Sequence, residues 1–192
     1  SMDITSKKIL HFLESNDADL RLASLRILTE LGELKGNALK VVDKILVDTD
    51  PTVSRKILSV LTLKPSADLL HYYLPFLKEE NGVREQSLKA LESLGATASQ
   101  AVQKQYKGAD PLLKRSFITL IARVANRSNF EFLAEAILAE PLELQKHICY
   151  ECRDSQNKYT DKDKKIFEAV IRENLRIADK QRNESALVSY II

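Results

Sequence analysis

The sequence predicts an all-α fold built from repeated helix–turn–helix units, and three observations carry that reading. Gly and Pro number only five each in 192 residues, with 44% hydrophobic and 29% charged side chains, a composition that folds and leans to helix. Residues 50–64, DPTVSRKILSVLTLK, and residues 80–94, ENGVREQSLKALESL, repeat one pattern of acid and apolar places. Gly32, Pro65 and Gly95 then fall in one column of that repeat, where a helix must end.

The elements follow in order along the chain. Residues 3–15 read as an amphipathic N-terminal capping helix that offers Ile9, Leu10 and Leu13 for packing. Five segments then begin at Asp17, Asp50, Glu80, Asp110 and Glu140, at spacings of 33, 30, 30 and 30. Three places on stand Leu20, Val53, Val83 and Leu113. Eight places on stand Leu25, Leu58, Leu88, Ile118 and Ile148, and eleven places on Leu28, Leu61, Leu91 and Ile121. These offsets share one face of a 3.6-residue helix. The opening acids suit a helix N-terminus, and Pro51, Pro111 and Pro141 suit the first helical position.

A second helix is expected after each turn, over 37–47, 66–78, 96–107 and 128–139. One such pair cannot bury its apolar face alone, so neighbours are expected to stack into an α-solenoid with a continuous core. The fifth unit departs from the register, with Glu143 and Glu151 where apolar residues belong. Thr160 and Asp163 read as a capping box that opens a C-terminal capping helix over 160–192, with Phe167, Val170, Ile171 and Leu175 on its apolar side. The uncharged ALVSYII reads as the packed end of that helix. The expectation is a single solenoid domain over 1–192, with repeats over 17–155, cut from a longer protein.

Charge and motifs exclude several classes. Twenty-nine basic against 27 acidic side chains leave a net charge of +2, with no Trp, so no strong field points to nucleic acid or an anionic membrane. No apolar run reaches spanning length and no signal-peptide pattern opens the chain, which predicts no direct membrane insertion. Two cysteines three residues apart make no disulfide framework, and a cytoplasmic location is expected. The string HICYEC, with His147, Cys149 and Cys152, has no second ligand cluster, and its cysteines read as core thiols. The glycines at 32, 36, 82, 95 and 108 are scattered and form no phosphate cradle. The chain is expected to be no enzyme and to need no cofactor.

Helices opening D-P-x-V or E-N-G-V-R, with L-x-x-L inside and L-P-F-L at 74–77, resemble HEAT repeats over residues 17–155. At about 30 residues the unit is shorter than the usual 40–47 of that family, and neither the tetratricopeptide nor the ankyrin pattern is present. The resemblance implies a right-handed α-solenoid, an ARM-like superhelix whose second helices line a concave face that binds proteins. Carried onto this chain, the candidate partner-binding residues are Lys40, Asp43, Lys44, His71, Gln103, Lys104, Lys107, Glu131 and Glu135. The function expected is a non-catalytic scaffold or regulatory module for a protein or peptide. One alternative is a nucleic-acid binder or alkylpurine DNA glycosylase on HEAT-like repeats, for which Lys40, Lys44, Lys104 and Lys107 speak. Another is a soluble cytoplasmic domain of a membrane transporter.

Within KPSADLLHYYLPFL, Pro75 is expected to kink the second helix and to turn His71 and Tyr73 towards the groove. Tyr72 and Phe76 align with Val42 and Leu46 and read as core. Arg21, Arg84 and Lys114 share a column from which they can reach acids of neighbouring units.

Overall fold

In a computed structural model of the chain, residues 4–47, 51–155, 158–166, 168–169 and 172–173 are described. Their regular structure is helical, with no strand among the described residues. Local chemistry sets the helix boundaries. Helix α1 spans Ile4–Phe12 and α2 spans Ala18–Glu30. Asp17 caps α2, its carboxylate accepting the amides of Asp19 at 2.9 Å and Leu20 at 3.1 Å. At the other end Gly32 takes φ +70°, which lets its amide bond to the Thr29 carbonyl and the Glu33 amide to the Leu28 carbonyl, a Schellman closure. Helix α3 (Asn37–Val47) and helix α4 (Pro51–Leu61) follow, with Pro51 at the first position as expected. Asp50 lies outside the described residues.

The next stretch is broken. Ala67–Leu69 is 3-10, α5 spans Leu70–Tyr73, and Leu74–Lys78 is 3-10 again before α6 (Asn81–Ser93). The expected second helix over 66–78 thus exists in three pieces. Pro75 has no amide to return to the His71 carbonyl, but it fits near the start of a 3-10 segment, where no donor is required.

Helix α7 (Ala96–Gln105) runs into a 3-10 turn at Tyr106–Gly108 and is followed by α8 (Pro111–Arg123), α9 (Arg127–Ala139) and α10 (Leu142–Asp154). Asp110 caps α8 through the Leu113 amide at 2.9 Å, and Asn126 caps α9 through the Asn129 amide at 2.9 Å. Pro111 is the first residue of α8, whereas Pro141 precedes α10 in extended conformation as its cap, one place earlier than the sequence predicts. Residues 161–166 are helical and open with the predicted box: the Asp163 amide donates to Thr160 Oγ1, and the Thr160 amide and hydroxyl donate to Asp163 Oδ2. Phe167, Val170, Ile171, Leu175 and ALVSYII fall outside the described residues.

The chain forms two units, Ser1–Ser93 and Leu94–Ile192. In the first, α2 packs on α1 and α4, α4 on α6, and the Leu70–Lys78 stretch on α6. In the second, α8 packs on α7, α9 and α10, and α9 on α7 and α10. The predicted columns form these cores. Leu25, Leu58, Leu88, Ile118 and Ile148 are buried, as are Leu28, Leu61, Leu91 and Ile121, each stabilising by about 1.5–3 kcal/mol through burial. The column three places from each acid is the rim: Leu20 is exposed, and Val53, Val83 and Leu113 are half-buried. In α1, Leu13 just beyond the helix end is fully buried, while Ile9 and Leu10 are half-buried. No helix among the described residues is long and apolar enough to cross a membrane.

Candidate functional site

The broken stretch after α4 borders a concavity in the first unit. Leu46 of α3, Pro51, Ser54 and Arg55 of α4, and His71, Tyr72, Pro75, Phe76 and Glu79 line an open cleft of about 340 Å³. A 3-10 segment rises about 2 Å per residue against 1.5 Å in an α-helix, so Leu74–Lys78 covers its length with fewer side chains. Pro75 and Phe76 form one wall with Leu46, giving the cleft a mostly apolar lining. Phe76 and Leu46 are half-buried rather than core, a correction to the sequence expectation that follows from this loosening of the helix.

Polar groups stand at fixed places around that wall. Tyr72 is buried and its hydroxyl donates to Asp43 Oδ1 at 2.7 Å, with the Leu39 carbonyl also in reach at 2.9 Å, so α3 and α5 are pinned together. Burial first, and then the Asp43 carboxylate, holds this phenol well above its usual range. The exposed His71 ring lies over Tyr72, with centroids 4.0 Å apart and planes tilted by 38°. Arg55 Nη2 stands 3.6 Å from Glu79 Oε2.

Tyr73 corrects the second expectation for this stretch. It is fully buried and its hydroxyl donates to the Leu61 carbonyl at 2.9 Å, because Leu69, Tyr73 and Leu77 keep a four-residue row through the proline. Of the pair expected to face outward, only His71 does so.

The remaining candidate residues divide between solvent and structure. Lys40, Lys104, Lys107 and Glu135 are exposed. Lys44 lies 3.8 Å from Glu14, and Glu131 pairs with Arg127 one turn away at 3.1 Å, both on the surface. Gln103 is half-buried and donates to Asn129 Oδ1 at 2.8 Å. Asn129, fully buried, donates in turn to the carbonyls of Ile121 and Val124, so Gln103 belongs to the packing of α7 on α9. Asp43 and His71 both meet Tyr72, Asp43 at its hydroxyl and His71 against its ring. Arg55 and Glu79 were not singled out by sequence; the pointer was Pro75, which marks where the helix opens.

Two further polar clusters lie within the described packing of the second unit. Lys114 Nζ meets Glu140 at 2.9 Å and sits 5.0 Å from the Tyr106 ring centre, the expected reach to the acid of the next segment. Burial, and then Glu140, pushes the Tyr106 phenol up. Arg21 differs from that expectation, since it donates to the Ser15 carbonyl at 2.7 Å rather than to an acid.

Glu151 occupies the leucine column and is nevertheless buried. Thr119 Oγ1 donates to its Oε1 at 3.0 Å and lies 3.0 Å from His147 Nε2, which is 2.9 Å from the Arg115 carbonyl. A carbonyl only accepts, so Nε2 carries the hydrogen and cannot act as the base for Thr119. The hydroxyl is buried as well, so this cluster is not an activated nucleophile but a satisfied core network. Glu143, by contrast, is exposed on the first turn of α10.

Cys149 and Cys152 are buried free thiols, and burial pushes Cys149 up to about 12 and raises Cys152 as well. No group of three or more His, Cys, Asp and Glu is placed to hold a metal ion among the described residues. The chain matches no protein-family model and no curated protein sequence, so the geometry of its own residues carries the functional reading.

Proposed function

We propose that the chain is a non-catalytic interaction module, a HEAT-like α-solenoid that holds a short segment of a protein partner in the cleft between α3, α4 and residues 71–79. The observation that carries this reading is the cleft itself. An apolar wall of Leu46, Pro75 and Phe76 stands beside a small number of polar groups, Arg55, His71 and Glu79. Side-chain anchoring on apolar surface, with a few directional polar contacts, is how such sites bind peptides. Tyr72, clamped by Asp43 and Leu39, keeps the floor in place before any ligand arrives, which lowers the ordering cost of binding. The solenoid part of the proposal is supported by the repeat in the sequence and by the side-by-side packing of α2, α4 and α6 in one unit and of α8 with α10 in the other.

Selection of peptides from a random display library on the wild-type protein tests the reading, with Phe76→Ala as the comparison and circular dichroism to verify that the variant remains folded. The expected result is a set of peptides whose affinity falls at least about tenfold on Phe76→Ala. Peptides that bind both proteins equally, or no peptides at all, would refute the cleft as the binding site. The nucleic-acid reading is weaker at Lys44, which already has Glu14 beside it. Anisotropy with labelled duplex at about physiological salt separates the two, since purely phosphate-driven attraction fades there.

A further inference from the structure

The apolar wall explains affinity for a side chain but not the charge of the ligand, and the cleft's own ion pair bears on that. Arg55 and Glu79 meet through one contact at 3.6 Å, longer than a good hydrogen bond, with side chains 57% and 46% exposed. A pair of this kind contributes little, whereas the guanidinium offers a planar fork suited to two parallel bonds with a better-placed carboxylate. His71 lines the same cleft and supplies a second nitrogen donor. Asp43 is engaged by the Tyr72 hydroxyl, and Glu79 is the acid among the described residues that line the cleft.

We infer that the cleft takes a peptide carrying a carboxylate next to an apolar anchor residue, and that Glu79 holds Arg55 as an internal competitor which the peptide displaces. This rests on the reading of the cleft as a peptide site. The anchor side chain lies against Leu46, Pro75 and Phe76, while the carboxylate takes the Arg55 fork and Glu79 swings to solvent. Among the described lining residues two nitrogen donors, Arg55 and His71, stand against one carboxylate, Glu79, a balance that favours an anionic group over a cation. An Asp or Glu side chain and a chain terminus both present the same two oxygens, and the test distinguishes them.

The test uses random display libraries with free and with amidated C-termini, and labelled synthetic peptides from the selected sequences measured by fluorescence anisotropy. The expected outcome is enrichment of an acid beside an apolar residue, an affinity reduced about tenfold by Arg55→Gln, and an affinity raised about two- to fivefold by Glu79→Gln. Acid enrichment in both libraries assigns the carboxylate to a side chain; binding confined to free termini assigns it to the chain end. Enrichment of Lys or Arg, no charge preference, or weaker binding to Glu79→Gln overturns the inference while leaving the cleft as a peptide site. Failure to select any cleft-dependent peptide overturns both.

Discussion

Replacing Thr119 with Val should destabilise the second unit more than replacing the buried acid it serves. In the native packing Glu151 stands where the other repeats carry Leu or Ile, and its Oε1 accepts the Thr119 hydroxyl at 3.0 Å. Thr119→Val keeps the shape and removes that charge-assisted bond from a buried carboxylate, a loss of about 2 kcal/mol. Glu151→Leu removes the same bond but leaves Thr119 satisfied, because its hydroxyl also reaches the Arg115 carbonyl at 3.1 Å and His147 Nε2 at 3.0 Å. It also restores an apolar side chain to the column, worth about 1.5–3 kcal/mol, which offsets the bond it breaks. The single change at 151 should therefore lie within about 1 kcal/mol of wild type, of either sign. In the Glu151→Leu background, Thr119→Val should cost much less, giving a coupling of about 1.5 kcal/mol. Urea unfolding of the four proteins followed by circular dichroism, with m compared between them, supplies the numbers. A cost above about 3 kcal/mol for Glu151→Leu, together with a negligible cost for Thr119→Val, would refute the assignment of Thr119 as a donor that helps make burial of the acid tolerable.

Other expectations follow from the same structure. Leu91→Ala, in the fully buried column, should lower stability by about 2–5 kcal/mol, while Leu20→Ala on the exposed rim should change it by about 0.5 kcal/mol or less, as measured by denaturant midpoints. Lys114→Ala strands Glu140, whose side chain is only 8% exposed, and should cost about 3 kcal/mol; a double change with Glu140→Ala that costs the sum of the two single changes would argue against the pair. The Cys149 and Cys152 thiols should resist a disulfide reagent in the native protein at about pH 8 and react together once urea unfolds it; prompt native reaction at either would show that the thiol is accessible. Burial pushes the Tyr73 hydroxyl up to about 12 from 10.0, so its contribution to stability is intact below about pH 10 and is lost as pH rises through about 12. The loss is on the order of 3 kcal/mol. Tyr73→Phe should flatten that alkaline decline, which unfolding curves across the range will measure.

Much of the helical plan was legible in the residue order, because helix signals are local. An Asp followed by a first-turn proline marked the start of α8, and positive-φ glycine marked the end of α2, each acting within a few residues of the chain. The two deep columns were legible for the same reason, since a 3.6-residue period states which side of a helix turns inward. Thr160 with Asp163 was readable as a box because both bonds close over three residues.

The candidate site was hidden for the opposite reason. Arg55 and Glu79 lie 24 positions apart, and Leu46 is on a third element, so no local pattern links them. Pro75 foretold a break but not which side chains it would expose: Tyr73 stayed inside because it shares a row with Leu69 and Leu77, whereas Phe76 loosened towards the cleft. Gln103 and Asp43 looked like free polar groups by their place on a helix; Gln103 is half-buried against Asn129, and Asp43, though exposed, accepts the Tyr72 hydroxyl, partners 26 and 29 residues away. Glu151 is the sharpest case, an acid that breaks the apolar column in sequence and yet is buried, with Thr119, 32 residues earlier, supplying a donor that offsets its desolvation. Periodicity determined the helices and their inward faces; long-range hydrogen bonding and packing decided which polar residues remained free to meet a partner.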